Sequence, residues 1–187
     1  EQVRALGEED FRDRLVPYLA DAYPDPTGEA LQAPLVSAES FDELSAREQE
    51  ILNAAAPLIQ TRIQMLRECR DMLGFLFVSD AELTIDDKAV AKLKASAGDV
   101  LDAGIHALEG LGPEQWGRGQ LEEALSAAIV EGQGMPNGEG IKPRLAYGPL
   151  RVAVTGRQVS PPLFESMEIL GAGSTLARLK ALRARLG

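Results

Sequence analysis

The chain has 187 residues, enough for one domain of ordinary size or two small ones, and its 45% hydrophobic and 26% charged residues match average soluble proteins. The single cysteine, Cys69, excludes an intramolecular disulfide and a cysteine-rich metal site and fits a cytoplasmic location. The single histidine, His106, argues against a Ser-His-Asp triad. The net charge of -10 argues at first against a polyanion partner, and no run approaches the roughly 18 apolar residues of a membrane span.

The start of the chain predicts a helix and then a loop. Four apolar residues recur at helical spacing: Phe11, Leu15, Val16 and Leu19. The prolines and glycine of "YPDPTG" (residues 23–28) predict the end of this helix, and a loop rich in Pro and Ser is expected to continue to about Ser40. Because the chain opens inside a helical pattern, without Met and without a leader, we interpret it as a piece of a longer protein.

The longest periodic segment runs from residue 45 to residue 77. One side of its helical wheel is apolar: Leu52, Ala55, Ile59, Ile63, Leu66, Cys69 and Leu73. Pro57 should kink this helix or divide it into two. Arg62 falls inside the apolar arc and Arg70 near it, so each guanidinium must snorkel to water or meet an acceptor. A structural ion pair and the reading of a base edge or phosphate are both open for Arg62.

Further helices are predicted in the second half. Thr84 and Asp87 resemble a capping box ahead of a helical stripe: Val90, Leu93, Ala97, Val100, Leu101 and Leu108. Another helix should cover residues 120–131. The glycine-rich stretch "GQGMPNGEG" (132–140) lacks the lysine and hydroxyl of a phosphate-binding loop, so we interpret it as a connector.

The stretch around residues 148–171 predicts two helices joined by a stiff corner. Val152 and Val154 alternate as a strand would, but Gly148-Pro149 and Gly156 are typical of the start and end of a short helix. Ser160 is expected to cap the next helix, which would begin with Pro161 and end at Gly171. Residues 157–164 would then form the corner, with free N–H donors at a helix N-terminus.

Charge is distributed unevenly along the chain. Residues 142–187 carry eight basic and two acidic residues, a net of +6, whereas residues 1–141 carry 11 basic and 27 acidic residues, a net of -16. The eight are Lys142, Arg144, Arg151, Arg157, Arg178, Lys180, Arg183 and Arg185. This split suggests a polyanion partner for the basic end, although the last four would equally complement the dipole of the final helix.

The residues also carry a resemblance. "KPRLAYGPLRVAVTGRQVSPPLFESMEILG" (142–171) and the following "LARLKALRARL" strongly resemble the C-terminal end of bacterial glutamyl-tRNA synthetases, in which the same elements recur in this order. "APLIQTRIQMLRECRDMLGFLF" (56–77) is similar to a helix of that family, and "RALGEEDFRDRLVPYL" to the end of its stem-contact region. The resemblance therefore extends over nearly the whole chain.

The resemblance implies an all-α fold, with two helical subdomains forming the α-helix cage of a class I aminoacyl-tRNA synthetase. Residues 1–82 would hold the end of the stem-contact region and the first subdomain, and residues 83–187 the second. The partner implied is the glutamate tRNA, tRNA(Glu), whose anticodon would be read here. An arginine instead of a glutamine at position 62 implies, by analogy, an enzyme that rejects the glutamine tRNA.

The resemblance also implies roles for individual residues. Arg62 falls where the family reads the third anticodon nucleotide, and Arg151 where a second arginine contacts the loop. The segment that packs around the first two bases contains Ser160, Pro161, Pro162, Leu163 and Phe164, of which Pro162 stands where some members have glycine and Phe164 could stack a base. Possible phosphate contacts are Lys142, Arg144 and Arg157.

The catalytic part of the family, with its His-Ile-Gly-His-like and Lys-Met-Ser-Lys-Ser-like motifs, has no counterpart in the sequence. We therefore expect no catalytic residue, metal or cofactor and no activity in this chain alone. In the full-length parent, ATP with Mg would give glutamyl-adenylate before glutamate is transferred to tRNA(Glu). We expect a cytoplasmic monomer without a DNA or membrane partner.

Two other functions compete with anticodon recognition. A helical protein-interaction module would use an exposed groove between helices, and its binding would follow apolar area and respond little to salt. A hydrolase or lyase using paired carboxylates, Asp86/Asp87 or Glu122/Glu123, is the weakest alternative, because adjacent acids on a helix point about 100° apart. The RNA-reading function is preferred chiefly through the resemblance.

Overall fold

The computed structural model describes residues 2–24 and 31–187, and helices dominate them, which confirms the predicted all-α fold. The α-helices in these ranges are α1 (Glu8–Ala20), α2 (Ala46–Ile59), α3 (Cys69–Leu73), α4 (Asp87–Ala91), α5 (Ala97–Glu109), α6 (Arg118–Leu125), α7 (Pro143–Thr155), α8 (Leu163–Leu170) and α9 (Ala172–Leu186). Single 3₁₀ turns cover Val3–Ala5, Phe41–Glu43, Leu66–Glu68, Gly74–Leu76 and Pro113–Gln115, and a π-helical turn, Ser126–Val130, continues α6. No helix in the described part of the chain has the length and apolar character to cross a bilayer.

The chain divides into two compact units, Glu1–Val78 and Ser79–Gly187, called the first and second unit below. The subdomain boundary predicted between residues 82 and 83 lies a few residues inside the second unit. The first unit also contains a minimal antiparallel pair of strands, β1 (Tyr23–Pro24) and β2 (Leu31–Gln32), with Tyr23 opposite Gln32.

The first unit is built on α1, which packs against α2 and α3. The four predicted apolar residues of α1 are completely buried: Phe11, Leu15, Val16 and Leu19. The helix ends at Ala20, just before the predicted stop signal at residues 23–28, of which residues 25–28 lie outside the described ranges. The hydrophobic pattern therefore predicts this helix and the face it buries correctly.

The long periodic segment is broken after Ile59, two residues later than the proline that was expected to break it. Ser45 begins α2 with a full capping box, in which its hydroxyl accepts from the Glu48 N–H and the Glu48 carboxylate accepts from the Ser45 N–H. Pro57 lies in the last turn of α2, where it removes the N–H that would donate to the carbonyl of Asn53. Just after the end of α2, the Gln60 side-chain amide donates to two carbonyls near the N-terminus, those of Val3 and Leu6, at 3.1 and 2.8 Å.

The second unit has a core made chiefly by α5, α7 and α9. Its largest fully buried side chains are Leu101, Leu108, Leu121, Leu125 and Ile129. Gly104 allows the close approach of α7, since a Cβ atom there would lie 3.1 Å from the Leu150 side chain. The helices that carry the predicted site residues between 142 and 164 are therefore fixed to this packed core.

The capping box predicted at Thr84 and Asp87 is wrong. The N-cap is Asp86, whose carboxylate accepts from the Lys88 N–H at 3.0 Å. The helix it caps, α4, is only five residues long, and a second helix, α5, begins at Ala97. Neither glycine nor proline marks this break, so periodicity alone merged the two helices.

The helix that was expected to start at Gly148-Pro149 begins earlier, at Pro143, and contains Pro149 in its interior. Pro143 occupies the first helical position, which suits its fixed φ angle. Gly148 suits the position before Pro149, because a Cβ there would clash with the proline ring in the helical conformation. The helix ends as predicted at Gly156, whose φ of 78° is left-handed and whose added Cβ would collide with the Thr84 carbonyl.

The following helix, α8, begins at Leu163, two residues later than predicted, and stops at Gly171 as predicted, but Ser160 is not its cap. Pro162 occupies the N-cap position, and its carbonyl accepts from the Ser166 N–H and hydroxyl. The Ser160 hydroxyl instead donates to the Pro161 carbonyl at 2.7 Å and is engaged by Arg151. The corner is therefore held by side-chain contacts to α7 in place of a serine cap.

Candidate nucleic-acid interface

A groove of about 1020 Å³ opens on the second unit. One wall is the connection between α4 and α5, and another is formed by residues 143–152 of α7, with Gln158 beside them. The lining includes four basic residues: Lys92, Lys94, Arg144 and Arg151. No acidic residue lines it in the part of the chain that the structure describes. We call this feature the basic groove.

Side-chain hydrogen bonds connect the basic groove to the corner at residues 157–164. Arg151 Nε donates to Ser160 Oγ at 3.0 Å, and Lys92 Nζ donates to Gln158 Oε1 at 3.4 Å. The Thr155 hydroxyl donates to the Arg151 carbonyl at 2.8 Å, which fixes the end of α7. The structure thus brings together Arg151 and Ser160, two of the residues selected by the resemblance.

The corner exposes different side chains from those selected from the sequence. Ser160, Pro161 and Leu163 are buried, so their side chains are not displayed to a ligand in this conformation. Arg157 and Gln158 are exposed, and Val159 is 73% exposed. The sequence argument missed Gln158 and Val159; the available signal was an apolar residue, Val159, that belongs to neither helical stripe.

Phe164 is partly buried and held in place by aromatic packing. Its ring meets Tyr147 edge to face, with the ring centroids 5.2 Å apart and the planes at 89°. Tyr147 also lines the basic groove, and burial raises the pKa of its phenol above the ordinary value. At neutral pH both rings are therefore uncharged surfaces beside a cationic groove, an arrangement suited to nucleobases next to phosphates.

Arg62 lies in the first unit, in the turn after α2, and its predicted place on a buried helical arc is wrong. The helix ends at Ile59, so the helical wheel does not extend to position 62. The Arg62 side chain is exposed and has no hydrogen bond or ion pair with the residues that the structure describes. The turn is held from behind, because Arg4 donates to the Thr61 carbonyl at 2.9 Å. A structural ion pair for Arg62 is thus not observed.

The buried arginine of the first unit is Arg70, which is 7% exposed. Its guanidinium donates to four backbone carbonyls: Tyr18 at 2.9 Å, Leu19 at 3.4 Å, Asp21 at 2.9 Å and Ala33 at 2.7 Å. It therefore joins the end of α1 to the segment after β2. The wheel did place Arg70 near the apolar arc, and that signal was correct.

The basic residues of α9 pair with acids of the second unit, which weakens the case for a polyanion partner at the chain end; Arg183 and Arg185 also lie in the last turn of α9, where they complement its dipole as expected. Arg178 Nε lies 2.7 Å from Asp80, Arg183 Nε 2.8 Å from Asp102, and Arg185 Nη2 2.7 Å from Asp87. Lys180 lies 4.0 Å from Glu109. Counted over residues 79–187, 12 basic and 14 acidic residues give a net charge of -2. Among the groove residues, Lys94 and Arg144 have no ion pair with the described part of the chain, unlike the basic residues of α9.

The other side chains that could carry chemistry have structural roles, are buried, or do not come together in a cluster. Asp86 caps α4 and Asp87 pairs with Arg185, so this acid pair is already engaged. Cys69 is completely buried, and burial raises the pKa of its thiol to about 12. Within the described ranges no three His, Cys, Asp or Glu side chains gather as a metal site would require.

Comparison with known proteins identifies the family. A sequence profile described as the anticodon binding domain matches residues 10–183. A glutamate–tRNA ligase of Kineococcus radiotolerans is 49% identical over 184 residues, which is 98% of this chain and 32% of that protein. A glutamate–tRNA ligase of Bifidobacterium longum is 47% identical over 186 residues, which is 100% of this chain and 33% of that protein. The chain thus spans about one third of the length of these curated relatives.

Solved structures show the same fold at low sequence identity. The crystal structure of a glutamate tRNA ligase from Elizabethkingia meningosepticum, in complex with its amino acid, matches with a TM-score of 0.67 and 16% identity, over 100% of this chain and 31% of that chain. A glutamate-tRNA synthetase from Elizabethkingia anophelis matches with a TM-score of 0.54 and 18% identity, over 76% of this chain and 25% of that chain. Since the profile matches nearly its whole length, the chain belongs to the anticodon-binding domain family.

Proposed function

We propose that this chain recognises the anticodon of tRNA(Glu) as part of a protein that ligates glutamate to that tRNA. The observation that carries the proposal is the 49% identity to a glutamate–tRNA ligase along 98% of the chain, together with the family match. The basic groove supports it independently, because a cationic groove beside aromatic rings is the surface that single-stranded RNA requires. An interaction module without RNA specificity has no comparable support.

Arg62 is proposed to read the third anticodon base. Its guanidinium is exposed and has no partner among the described residues, while the backbone of its turn is fixed by Arg4. A guanidinium presents donors only. The third base of a glutamate anticodon is cytosine, whose pairing edge offers acceptors at O2 and N3, so two parallel hydrogen bonds can form. Guanine, the third base of a glutamine anticodon, presents N–H donors at N1 and N2 and a single acceptor, O6, on that edge, so the pair of adjacent acceptors that cytosine offers is absent.

Such a site distinguishes bases because a wrong base leaves hydrogen-bonding groups unpaired. A wrong base at a site built for hydrogen bonding costs roughly 1–3 kcal/mol. Arg151 and the corner at residues 157–164 are proposed to contact the remainder of the anticodon loop, with Arg144, Arg157 and Lys142 near phosphates. Because Ser160, Pro161 and Leu163 are buried, contacts from this segment would come from its backbone and from its exposed neighbours Arg157, Gln158 and Val159.

The ligation chemistry is proposed to belong to the rest of such a protein. The relatives are about three times as long as this chain, and they carry the name of the activity. In a complete ligase, ATP with Mg would activate glutamate, and this chain would contribute tRNA selection without touching the reacting atoms. We further propose a cytoplasmic monomer whose nucleic-acid partner is tRNA(Glu).

Replacing Arg62 with glutamine tests the assignment of the reader. The dissociation constants of the wild-type chain and of Arg62→Gln are measured with tRNA(Glu) and with the same tRNA carrying guanine as the third anticodon base. We expect the wild type to prefer cytosine by about 5- to 150-fold, which corresponds to 1–3 kcal/mol, and the variant to lose most of that preference.

Arg67→Gln is the matched control, because Arg67 is an exposed arginine of the same unit with no side-chain partner among the described residues. It should keep the wild-type preference even where the overall affinity falls. If Arg62→Gln retains the wild-type ratio between the two tRNAs, Arg62 does not read this base.

A further inference from the structure

We propose that Lys92 and Lys94 hold the phosphate backbone of the anticodon arm in the basic groove. This inference rests on the proposed function and adds a second wall to the binding site, since the candidates selected from the sequence in this part of the chain all lie at residues 142–164. Lys92 and Lys94 belong instead to the connection between α4 and α5. The ligand class is a single-stranded RNA backbone, recognised through its phosphates.

The basic side chains of the groove differ from those of α9 in their hydrogen bonds and ion pairs. Lys94 and Arg144 are exposed, and neither side chain has a hydrogen bond or ion pair with the residues that the structure describes. Lys92 donates to Gln158 Oε1 at 3.4 Å, a neutral acceptor that leaves its charge uncompensated. By contrast, Arg178, Arg183 and Arg185 each lie within 2.8 Å of a carboxylate. Lys94 and Arg144 therefore make no described side-chain contact that an incoming phosphate would have to break.

The orientation of two helices supports the proposal. The groove is bordered by Ser96, at the N-terminus of α5, and by Pro143, Arg144 and Leu145, the first turn of α7. Both helices are 13 residues long. The N-terminus of a helix carries about half a positive charge, so two such ends add to the field of the four basic side chains.

The size of the basic groove and its connection to the corner at residues 157–164 also support the proposal. At about 1020 Å³ the groove lies at the upper end of the roughly 300–1,000 Å³ range of ordinary ligand pockets, so it has room for part of a polymer. The hydrogen bond from Lys92 to Gln158 joins the lysine wall to the corner at residues 157–164. A backbone held by Lys92 would therefore run directly towards the segment proposed to pack around the anticodon bases.

Phosphate contacts of this kind predict a particular binding behaviour. Phosphates carry no sequence information, so removing the lysines should weaken binding equally for every anticodon. Each lost contact on a single strand lowers the slope of log K against log salt concentration by about 0.7, so two lysines correspond to about 1.4. A role in reading bases would instead change the ratio between anticodons.

The test compares Lys92→Gln/Lys94→Gln with Lys88→Gln/Lys180→Gln in the whole 187-residue chain. Lys88 and Lys180 are exposed lysines of the same unit that lie outside the groove, so both variants lose the same charge. Binding is titrated over a series of salt concentrations with tRNA(Glu) and with its guanine-substituted anticodon variant. The fluorescence of Trp116, the single tryptophan, confirms that both variants remain folded.

We expect the groove variant to bind both RNAs at least about tenfold more weakly at low salt. Its slope of log K against log salt concentration should be lower by about 1.4. The control variant should show less than half of each change. Equal behaviour of the two variants would overturn the inference, and so would a changed ratio between the two RNAs. The proposed function fails separately, if the wild type itself does not distinguish the two RNAs. In that case a lower salt slope only in the groove variant would still support a polyanion site at the lysines.

Discussion

Replacing Arg178 with methionine is expected to lower the free energy of unfolding of the second unit by about 3 kcal/mol, the lower end of the 3–5 kcal/mol range for breaking a buried ion pair. Arg178 is 2% exposed, its Nε donates to Asp80 at 2.7 Å, and its Nη1 donates to the Val154 carbonyl at 2.8 Å. Methionine fills the space of the arginine stem but cannot donate. The effect stays at the lower end because Asp80 is 37% exposed and can regain water.

Denaturant unfolding followed by the fluorescence of Trp116 measures this change. Trp116 is the single tryptophan, and its indole N–H donates to the Met167 carbonyl at 2.9 Å, so the probe belongs to the same unit as Arg178. Arg183→Met is the matched control on the same helix, since Arg183 pairs with Asp102 at a partly exposed site. It should cost about 1 kcal/mol or less. Equal losses in the two variants would show that burial of the Arg178 pair contributes nothing beyond a surface ion pair.

Replacing Arg70 with methionine is expected to destabilise the first unit by about 3 kcal/mol, because four backbone carbonyls, buried or partly buried, lose a donor at once. These carbonyls belong to the end of α1 and to Ala33. The methionine side chain has no N–H group that could donate to them. The loss should loosen the attachment of residues 31–36 as well as α1, whose last residues supply the remaining acceptors.

Alkylation of Cys69, the single cysteine, measures this effect. Its thiol is buried and its pKa is raised to about 12, so the native protein should react only through opening of the first unit. A loss of about 3 kcal/mol corresponds to a labelling rate more than about 100-fold faster when opening is rapid and reversible. Arg67→Met, an exposed arginine in the same segment, should leave the rate near that of the wild type. An unchanged rate in Arg70→Met would contradict the account.

Local signals predicted the helices whose ends are marked by special residues. The apolar spacing of α1 gave its buried face, and Gly156 and Gly171 gave the ends of α7 and α8. These features depend on the backbone preferences of a few neighbouring residues, which a single sequence displays directly.

The missed features depend on residues that are distant in the chain. At the end of α2, Gln60 donates to carbonyls 54 and 57 residues away, and Arg62 lies in the turn that follows the helix. The carbonyls that Arg70 binds include one 52 residues away. Arg178 and Arg185 meet acids 98 residues earlier, so a count of charge by sequence interval could not show that they are neutralised.

The candidate site was predicted only in part, because it also depends on residues that are distant in the chain. The resemblance selected Arg151 and Ser160, and the structure places them in direct contact at 3.0 Å. Lys92 and Lys94 were not selected, because they lie in a stretch of the chain whose overall charge is strongly negative. Only the fold brings them beside α7 and away from those acids.

The central claim is that this chain distinguishes the glutamate anticodon, and the most direct test uses RNA that carries little else. Two hairpins with the sequence of the anticodon arm of tRNA(Glu), differing only by cytosine or guanine as the third anticodon base, compete for the wild-type chain at low salt. We predict that the cytosine hairpin binds more tightly by about 5- to 150-fold, the ratio that 1–3 kcal/mol of base discrimination gives. Equal affinities would contradict anticodon recognition by this chain and leave the basic groove as a site for RNA of any sequence.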